Sequence, residues 1–194
     1  MTGNAQRELV ITGFGGQGII LTGNILGKAA TIHDGRHATM TQSYGPEARG
    51  GACSSQVIVS DSDIPFPYVE PPQILVCMSQ EGFDNNRPSL IPGGTLIWDT
   101  DLVETHDLDP SWTRFDAPAT RFAEELGNKM MANIVMLGFL SACTDLVDPE
   151  SLKKAMLGSV PPQTKEKNEA AFTRGREYGL AILKGKARQG AEAS

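Results

Sequence analysis

The sequence predicts a single α/β domain, residues 1–185, of the three-layer Rossmann-like kind, with a mixed, mostly parallel sheet, a helical C-terminal third and a flexible tail at 186–194. Three observations predict it. Short apolar runs ending at glycine or proline alternate with helical periodicity through the first two thirds of the chain. One run, Gln73–Met78, is apolar almost throughout, as a strand buried on both faces must be. Beyond Pro118 the apolar spacing is helical only.

The elements follow in order. Glu8–Thr12 is a short apolar run that stops at glycine, a buried first strand. Gly13-Phe14-Gly15-Gly16-Gln17-Gly18 turns into a helix, Ile19–Ala30, with Ile19, Gly23, Leu26, Gly27 and Ala30 on one face. Gly23 and Gly27, four apart, predict a close approach to a neighbour. His33-Asp34-Gly35 is a turn. His37–Gln42 and Ala52–Ser60 are the second and third strands. No helix joins these two, so they pair antiparallel or run side by side without a crossover.

Asp61–Pro72, rich in proline and acid, is extended coil. Gln73–Met78 is the central parallel strand, and Ser79 caps a short helix to about Asn86. Pro92-Gly93-Gly94 turns into a strand at Thr95–Asp99, and Trp112–Asp116 is the last strand. Pro118, at an N1-like position, starts a helix that ends at Gly127. An apolar helix spans Asn133–Cys143, and Pro149 opens another that ends near Gly158. The last helix, Lys165–Lys184, carries Ala171, Phe172, Gly175, Tyr178, Gly179 and Ile182 on one stripe, and Gly175 and Gly179 repeat the close-approach spacing.

Composition narrows the function. With 40% hydrophobic and 21% charged residues the 194-residue chain reads as soluble and globular. A formal charge of −6 argues against nucleic acid as a partner. The longest apolar stretch, Ala132–Cys143, has the length of a buried helix and not of a membrane span, so no membrane insertion is expected. Met1–Glu8 is polar and lacks an apolar signal region, which predicts a cytoplasmic protein. The three cysteines, Cys53, Cys77 and Cys143, have no metal-ligand spacing. Cys77 and Cys143 read as small buried apolar residues, and Cys53, just past a polar loop, is less typical. The histidines, His33, His37 and His106, form no catalytic or metal cluster and read as surface residues. No nucleophile–base pair stands out, so no catalytic residue and no metal ligand is assigned.

Two segments carry the functional signal. The first is the glycine turn, where Gly13, Gly15 and Gly18 satisfy GxGxxG between a strand and a helix. The free amides and dipole at such a helix start favour an anion. A dinucleotide site also needs an acid at the end of the second strand to hold a ribose. Here that strand ends in Gln42-Ser43-Tyr44, Asp34 precedes it, and no helix leads on to strand three, so independent NAD binding lacks its context. Two readings stay open: a tight turn for close packing, and a phosphate or pyrophosphate site without ribose readout. Gln17 is the polar residue of interest, bonding a loop, a ligand or the neighbouring backbone.

The second segment is Gln42-Ser43-Tyr44-Gly45-Pro46-Glu47-Ala48-Arg49-Gly50-Gly51. Pro46 restricts Gly45, and Glu47 and Arg49, two apart, face the same way in an extended segment. Gly50 and Gly51 let another surface come close. Tyr44 and Arg49 are residue types enriched at interface hot spots, whereas a flexible solvated loop has no need of tyrosine, proline and paired glycines together.

These two segments, with Asn133-Ile134-Val135-Met136-Leu137-Gly138 and Asn168-Glu169-Ala170-Ala171-Phe172 followed by Gly175, resemble the gamma subunit of 2-oxoacid:ferredoxin oxidoreductases from about Glu8 to Lys184. Ala52-Cys53 and Val57-Ile58-Val59-Ser60-Asp61 look closest to the 2-oxoglutarate branch. One departure is Pro72-Gln73, where the family usually has Pro-Asp; Gln73 keeps the shape and loses the charge. The resemblance implies a complex that oxidatively decarboxylates a 2-oxoacid to an acyl-coenzyme A. Its thiamine diphosphate, magnesium and iron–sulfur clusters would be held chiefly by companion alpha, beta and delta chains, with ferredoxin as electron partner and coenzyme A as cosubstrate. It further implies that Gly15, Gly16, Gln17 and Gly18 lie near the phosphates or pantetheine of coenzyme A. Tyr44, Glu47, Arg49 and Gly50 would contact a companion subunit near the thiamine site; Arg49 could equally pair with a substrate carboxylate or a phosphate. The alternatives are a subunit of an indolepyruvate, phenylglyoxylate, pyruvate or branched-chain 2-oxoacid oxidoreductase, or a free-standing nucleotide-binding module.

Overall fold

A six-stranded mixed sheet organises the chain, in the order β2-β3-β1-β4-β5-β6. The computed structural model describes residues 6–45 and 51–192, with side chains described to residue 185. The strands are β1 (Arg7–Phe14), β2 (His37–Tyr44), β3 (Ala52–Ser60), β4 (Ile74–Cys77), β5 (Thr95–Asp99) and β6 (Thr113–Ala117). β1, β4, β5 and β6 run parallel to one another. β3 is antiparallel to both β1 and β2, so β3 alone opposes the common direction.

Period-two alternation divides the interior strands between two cores. Leu9, Ile11, Val57, Val59, Ile74, Val76 and Ile97 face the larger core. Val10, Ile58, Leu75, Cys77 and Leu96 face the smaller one. Both faces are buried, and this explains why β4 reads as an unbroken apolar run. On the larger side lie α1 (Ile19–Lys28), α3 (Ala119–Glu125), α4 (Ala132–Cys143), α5 (Pro149–Ser159) and α6 (Lys165–Glu192). The other face carries α2 (Gln80–Asn86) and two straps, residues 61–72 and 100–112, which seal it with Val69, Val103 and Trp112.

Helix α4 is buried along nearly its whole length and meets α6 backbone to backbone. A Cβ at Gly138 would lie 2.0 Å from the Phe172 carbonyl oxygen, and one at Gly175 would lie 1.9 Å from that of Val135. The predicted close approach at Gly175 and Gly179 therefore holds; at Gly179 the neighbour is Ala142 Cβ, 2.7 Å from the added carbon.

The first helix answers only half of the same expectation. At Gly23 an added Cβ would meet Ser55 Oγ at 1.8 Å, but at Gly27 nothing lies within 4 Å. Four residues turn the helix past a full circle by about 40°, and Gly27 has rotated away from the sheet. Beyond α1 the chain continues as a π-helical turn, Ala29–His33.

Other departures are local. Pro118 is not at N1: its φ of −80° and ψ of 62° are non-helical, and it stands at the N-cap of α3. Cys143 is half-buried where full burial was expected, whereas Cys53 and Cys77 are buried. α6 runs on to Glu192, past the expected end at Lys184, because alanine, lysine, arginine and glutamine there favour helix more than the intervening glycines oppose it. The Ser79 cap is as predicted, its hydroxyl accepting from Gly82 N at 3.1 Å.

Candidate functional site at the strand ends

The two segments singled out in the sequence meet at the C-terminal ends of the strands. Gly15 N donates to Gly51 O at 2.9 Å, and Gly45 N donates to Ala52 O at 2.6 Å. The base of the polar loop is therefore bonded to the glycine turn. Pro46, Glu47, Ala48, Arg49 and Gly50 lie outside the described residues. Tyr44, the last residue of β2, pairs with Cys53 across the ladder and is 62% exposed.

The turn requires its glycines. Gly16 and Gly18 have φ of +96° and +75°, a region that side chains rarely adopt. Gly18 is also pressed by α4: a Cβ there would lie 2.3 Å from Asn133 Nδ2. The Asn133 amide donates to Gly18 O at 3.3 Å, and Thr22 Oγ1 donates to the same carbonyl at 3.0 Å. The first ladder bond of α1 is Thr22 N to Gly18 O at 2.9 Å, so the amides of Ile19, Ile20 and Leu21 precede the ladder. No acid occupies the first turn of α1.

Gln17 turns its side chain inward. Its Oε1 accepts from Phe14 N at 2.6 Å, and its Nε2 donates to Met78 O at 3.0 Å. Of the roles open from sequence, bonding to neighbouring backbone is the one the geometry displays.

On one flank of the turn is a cavity of about 290 Å³, lined by Gly15, Gly16, Gln17, Thr120, Lys129, Met130 and Ala132. Its walls are mostly apolar, and its single cation, Lys129, lies 3.6 Å from Glu124. On the other flank a polar cleft of about 300 Å³ runs between the ends of β2 and β3 and helix α2, past Ser43, Tyr44, Ser54, Glu81 and Asn85. Four of the seven exposed large apolar side chains among the described residues belong to this edge: Phe14, Leu21, Tyr44 and Met130.

Beneath the cavity sits Asp99, fully buried at the end of β5. Its Oδ2 accepts from Thr120 N at 2.9 Å and from Thr120 Oγ1 at 2.7 Å, and its Oδ1 accepts from Asp101 N at 3.0 Å. Burial pushes this carboxyl above the usual range, and the hydrogen bonds pull the other way. Asp99 thus orders the first turn of α3 in place of a cap from Pro118. The sequence reading missed Asp99, Thr120, Lys129, Met130 and Asn133. Only Asn133 offered a signal, as a lone amide at the head of an apolar helix.

Among the described residues no three of His, Cys, Asp and Glu gather closely enough to hold a metal. Burial pushes the Cys77 thiol to about 12 and raises that of Cys53, so neither is a ready thiolate. The histidines are at the surface; His37 and His106 lie 3.3 Å from Asp63 and Asp84. No helix among the described residues is long and apolar enough to cross a membrane.

The fold is a Rossmann-like α/β domain with its glycine turn, the base of the polar loop and several exposed apolar side chains gathered at one edge of the sheet. Comparison with known proteins then gives the family. Residues 8–178 match the model for the pyruvate ferredoxin/flavodoxin oxidoreductase family. The 2-oxoglutarate synthase subunit KorC of Methanocaldococcus jannaschii is 49% identical over 179 residues, 91% of this chain and 96% of that one. The crystal structure of a keto/oxoacid ferredoxin oxidoreductase gamma subunit from Geobacter sulfurreducens superposes with a TM-score of 0.79 at 40% identity, covering 90% of this chain and 99% of that one. A 2-oxoglutarate:ferredoxin oxidoreductase from Magnetococcus marinus shares the fold, with a TM-score of 0.82 at 21% identity over 91% of this chain and 31% of that one. The chain belongs to the pyruvate ferredoxin/flavodoxin oxidoreductase family.

Proposed function

We propose that this chain is the gamma subunit of a thiamine-diphosphate-dependent 2-oxoglutarate:ferredoxin oxidoreductase, a complex that oxidatively decarboxylates a 2-oxoacid and forms an acyl-coenzyme A. The observation that carries the reading is the end-to-end likeness to a 2-oxoglutarate synthase subunit, with 91% of one chain and 96% of the other aligned. The chemistry is the complex's. In such a complex thiamine diphosphate would supply the decarboxylation chemistry, and iron–sulfur clusters would supply the electron path to ferredoxin.

The cysteines of this chain do not fit an iron–sulfur cluster, since they are separate and two of them are buried. Companion alpha, beta and delta subunits hold the clusters and the thiamine diphosphate, in the cytoplasm. This chain contributes an interface and contacts in the coenzyme A region. Phe14, Leu21, Tyr44 and Met130 supply exposed apolar area at one edge, the kind of side chain that anchors a partner. The cavity beside Gly15 and Gly16 has apolar walls, which suit an uncharged pantetheine arm better than phosphates. Glu47, Arg49 and Gly50 are assigned contacts to the companion subunit on the family resemblance of their loop.

Purification from the native source tests the reading. The chain is expected to co-migrate with larger thiamine- and cluster-containing chains, and a lone monomer would refute it. Arg49→Ala is expected to weaken assembly or turnover while the domain stays folded; unchanged assembly and rates would remove the loop from the argument. Substrate profiling of the complex separates the 2-oxoglutarate branch from the indolepyruvate branch, to which a 30% identical Thermococcus kodakarensis subunit belongs by name.

A further inference from the structure

We infer that the outer edge of β2 seats an extended strand of a companion subunit, which continues the six-stranded sheet by main-chain pairing. Such a contact presupposes the accessory-subunit reading and deepens it.

The backbone defines the edge. β2 is an outermost strand, with only β3 beside it. Its register runs from His37↔Ser60 to Tyr44↔Cys53 without a bulge. The next pair is bonded, Gly45 N to Ala52 O at 2.6 Å. Alternation along an antiparallel ladder therefore turns the main-chain groups of Thr39, Thr41 and Ser43 toward β3, and those of Ala38, Met40, Gln42 and Tyr44 outward. β3 gives the same phase from its other side, where Gly51 O accepts from Gly15 N and the odd-numbered residues face β1. No outward group of β2 has a main-chain partner among the described residues.

Nothing in the strand forbids pairing. No residue of β2 is buried, and it contains no lysine, arginine, carboxylate or proline, the usual guards of a sheet edge. The opposite edge is guarded, since β6 is only 5 residues long and includes Arg114 and Asp116.

Area and direction choose the occupant. With 8 residues, β2 offers a strip about 27 Å long and about 10 Å deep, so two copies paired along it would bury about 550 Å² in total. A stable pair of chains buries roughly twice that. The remainder must come from surface continuous with the strip. Past Tyr44 that surface is the rim of the strand ends, with Phe14 and Leu21 exposed. In a two-fold antiparallel pair the Tyr44 end of one copy meets the His37 end of the other, so the two rims lie at opposite ends and add no area. A companion subunit seated on the rim can lay its own strand beside β2. The side chains it meets are Thr39, Thr41 and Ser43 on one face and Ala38 and Met40 on the other. They call for an uncharged segment that alternates hydroxyl or β-branched residues with aliphatic ones.

The test compares amide hydrogen exchange in the purified complex and in the full-length chain alone, read residue by residue by mass spectrometry. The amides of Ala38, Met40, Gln42 and Tyr44 are expected to exchange at least about 100-fold more slowly in the complex, while those of Thr39, Thr41 and Ser43 are protected in both. Gln42→Pro removes an outward N–H and no β3 bond. It is expected to bind the companion chains at least about tenfold more weakly than wild type. Gln42→Ala keeps the N–H and is expected to bind within about threefold of wild type.

Outward amides that exchange equally fast in the complex and in the chain alone would overturn the inference, as would a folded Gln42→Pro variant that binds like wild type. Outward amides already protected in the chain alone, with a doubled mass by light scattering, would give the edge to a second copy and overturn it too. Should Gln42→Pro not fold, the exchange contrast in wild type decides. A chain that co-purifies with nothing removes the subunit reading and the added strand together; an assembled complex with fast outward amides removes the strand alone.

Discussion

The two ends of the sheet differ in kind. At the N-terminal ends of the strands lies a concavity of about 750 Å³, lined by Arg7, Gln73, Gly93, Thr95, Thr144 and Asp145 among others. Its charges are used internally: Arg7 Nη2 donates to both oxygens of Asp145 at 2.6 and 2.7 Å. Arg36 donates to Asp61 at 2.7 Å and to Leu146 O at 2.8 Å. These bonds tie the starts of β1 and β2 to the loop after α4. The opposite end has smaller hollows, but it holds the glycine turn, packed against Asn133 at Gly18, and four of the seven exposed large apolar side chains among the described residues. Volume marks a gap between elements, whereas a cluster of exposed apolar groups marks a surface made to meet something.

Substitutions can break or sharpen this contrast. The largest effect is expected at Gly18. Gly18 and Gly93 share a φ of +75°, but an added Cβ meets Asn133 at 2.3 Å in the first case and nothing within 4 Å in the second. Gly18→Ala should cost about 3 kcal/mol by thermal or urea unfolding, and Gly93→Ala only about 1 kcal/mol of backbone strain. Equal costs would mean that the α4 contact contributes nothing.

Asp99→Ala comes next. It strips three hydrogen bonds from a buried site and should cost about 2 kcal/mol. At the other end Arg7→Ala removes an exposed ion pair and should cost less than about 1 kcal/mol.

The smallest effect is one of sign, read from stability between about pH 3 and 6. The Arg7 guanidinium holds Asp145 below the usual carboxylate range. Its contribution is present above the unfolded-state value and is lost as pH falls through the folded one. Burial holds Asp99 above that range. Its contribution is full below the unfolded-state value and is lost as pH rises through the folded one. Arg7→Ala should therefore flatten an acid loss of stability, and Asp99→Asn should remove a gain. NMR titration midpoints of the two carboxyls displaced to the same side of the usual carboxylate value would refute the assignment.

The sequence made the framework legible where one local signal decides an element. Strand alternation, the Ser79 cap and the antiparallel β2–β3 pair all follow from residues close in the chain. So did the close approach at Gly175, whose spacing matched a partner helix. What escaped depends on distant partners: that Gly27 faces no neighbour, that Pro118 gives way to Asp99 as a cap, and that Met130 and Lys129 come to flank the glycine turn. The turn and the polar loop were each legible as special, but their junction was not, since nothing local joins residue 15 to residue 51. Gln17 was visible as a polar residue out of place, and the residue it reaches, Met78 just past β4, lies 61 positions on.

That junction has a mechanical consequence. Because Gly15 hangs from Gly51 by a single main-chain bond, any molecule that grips the tyrosine-bearing hairpin also pulls on the entrance of the first helix. Lesions at the two places should not simply add, and a neighbour seated on one hands its tension to the other.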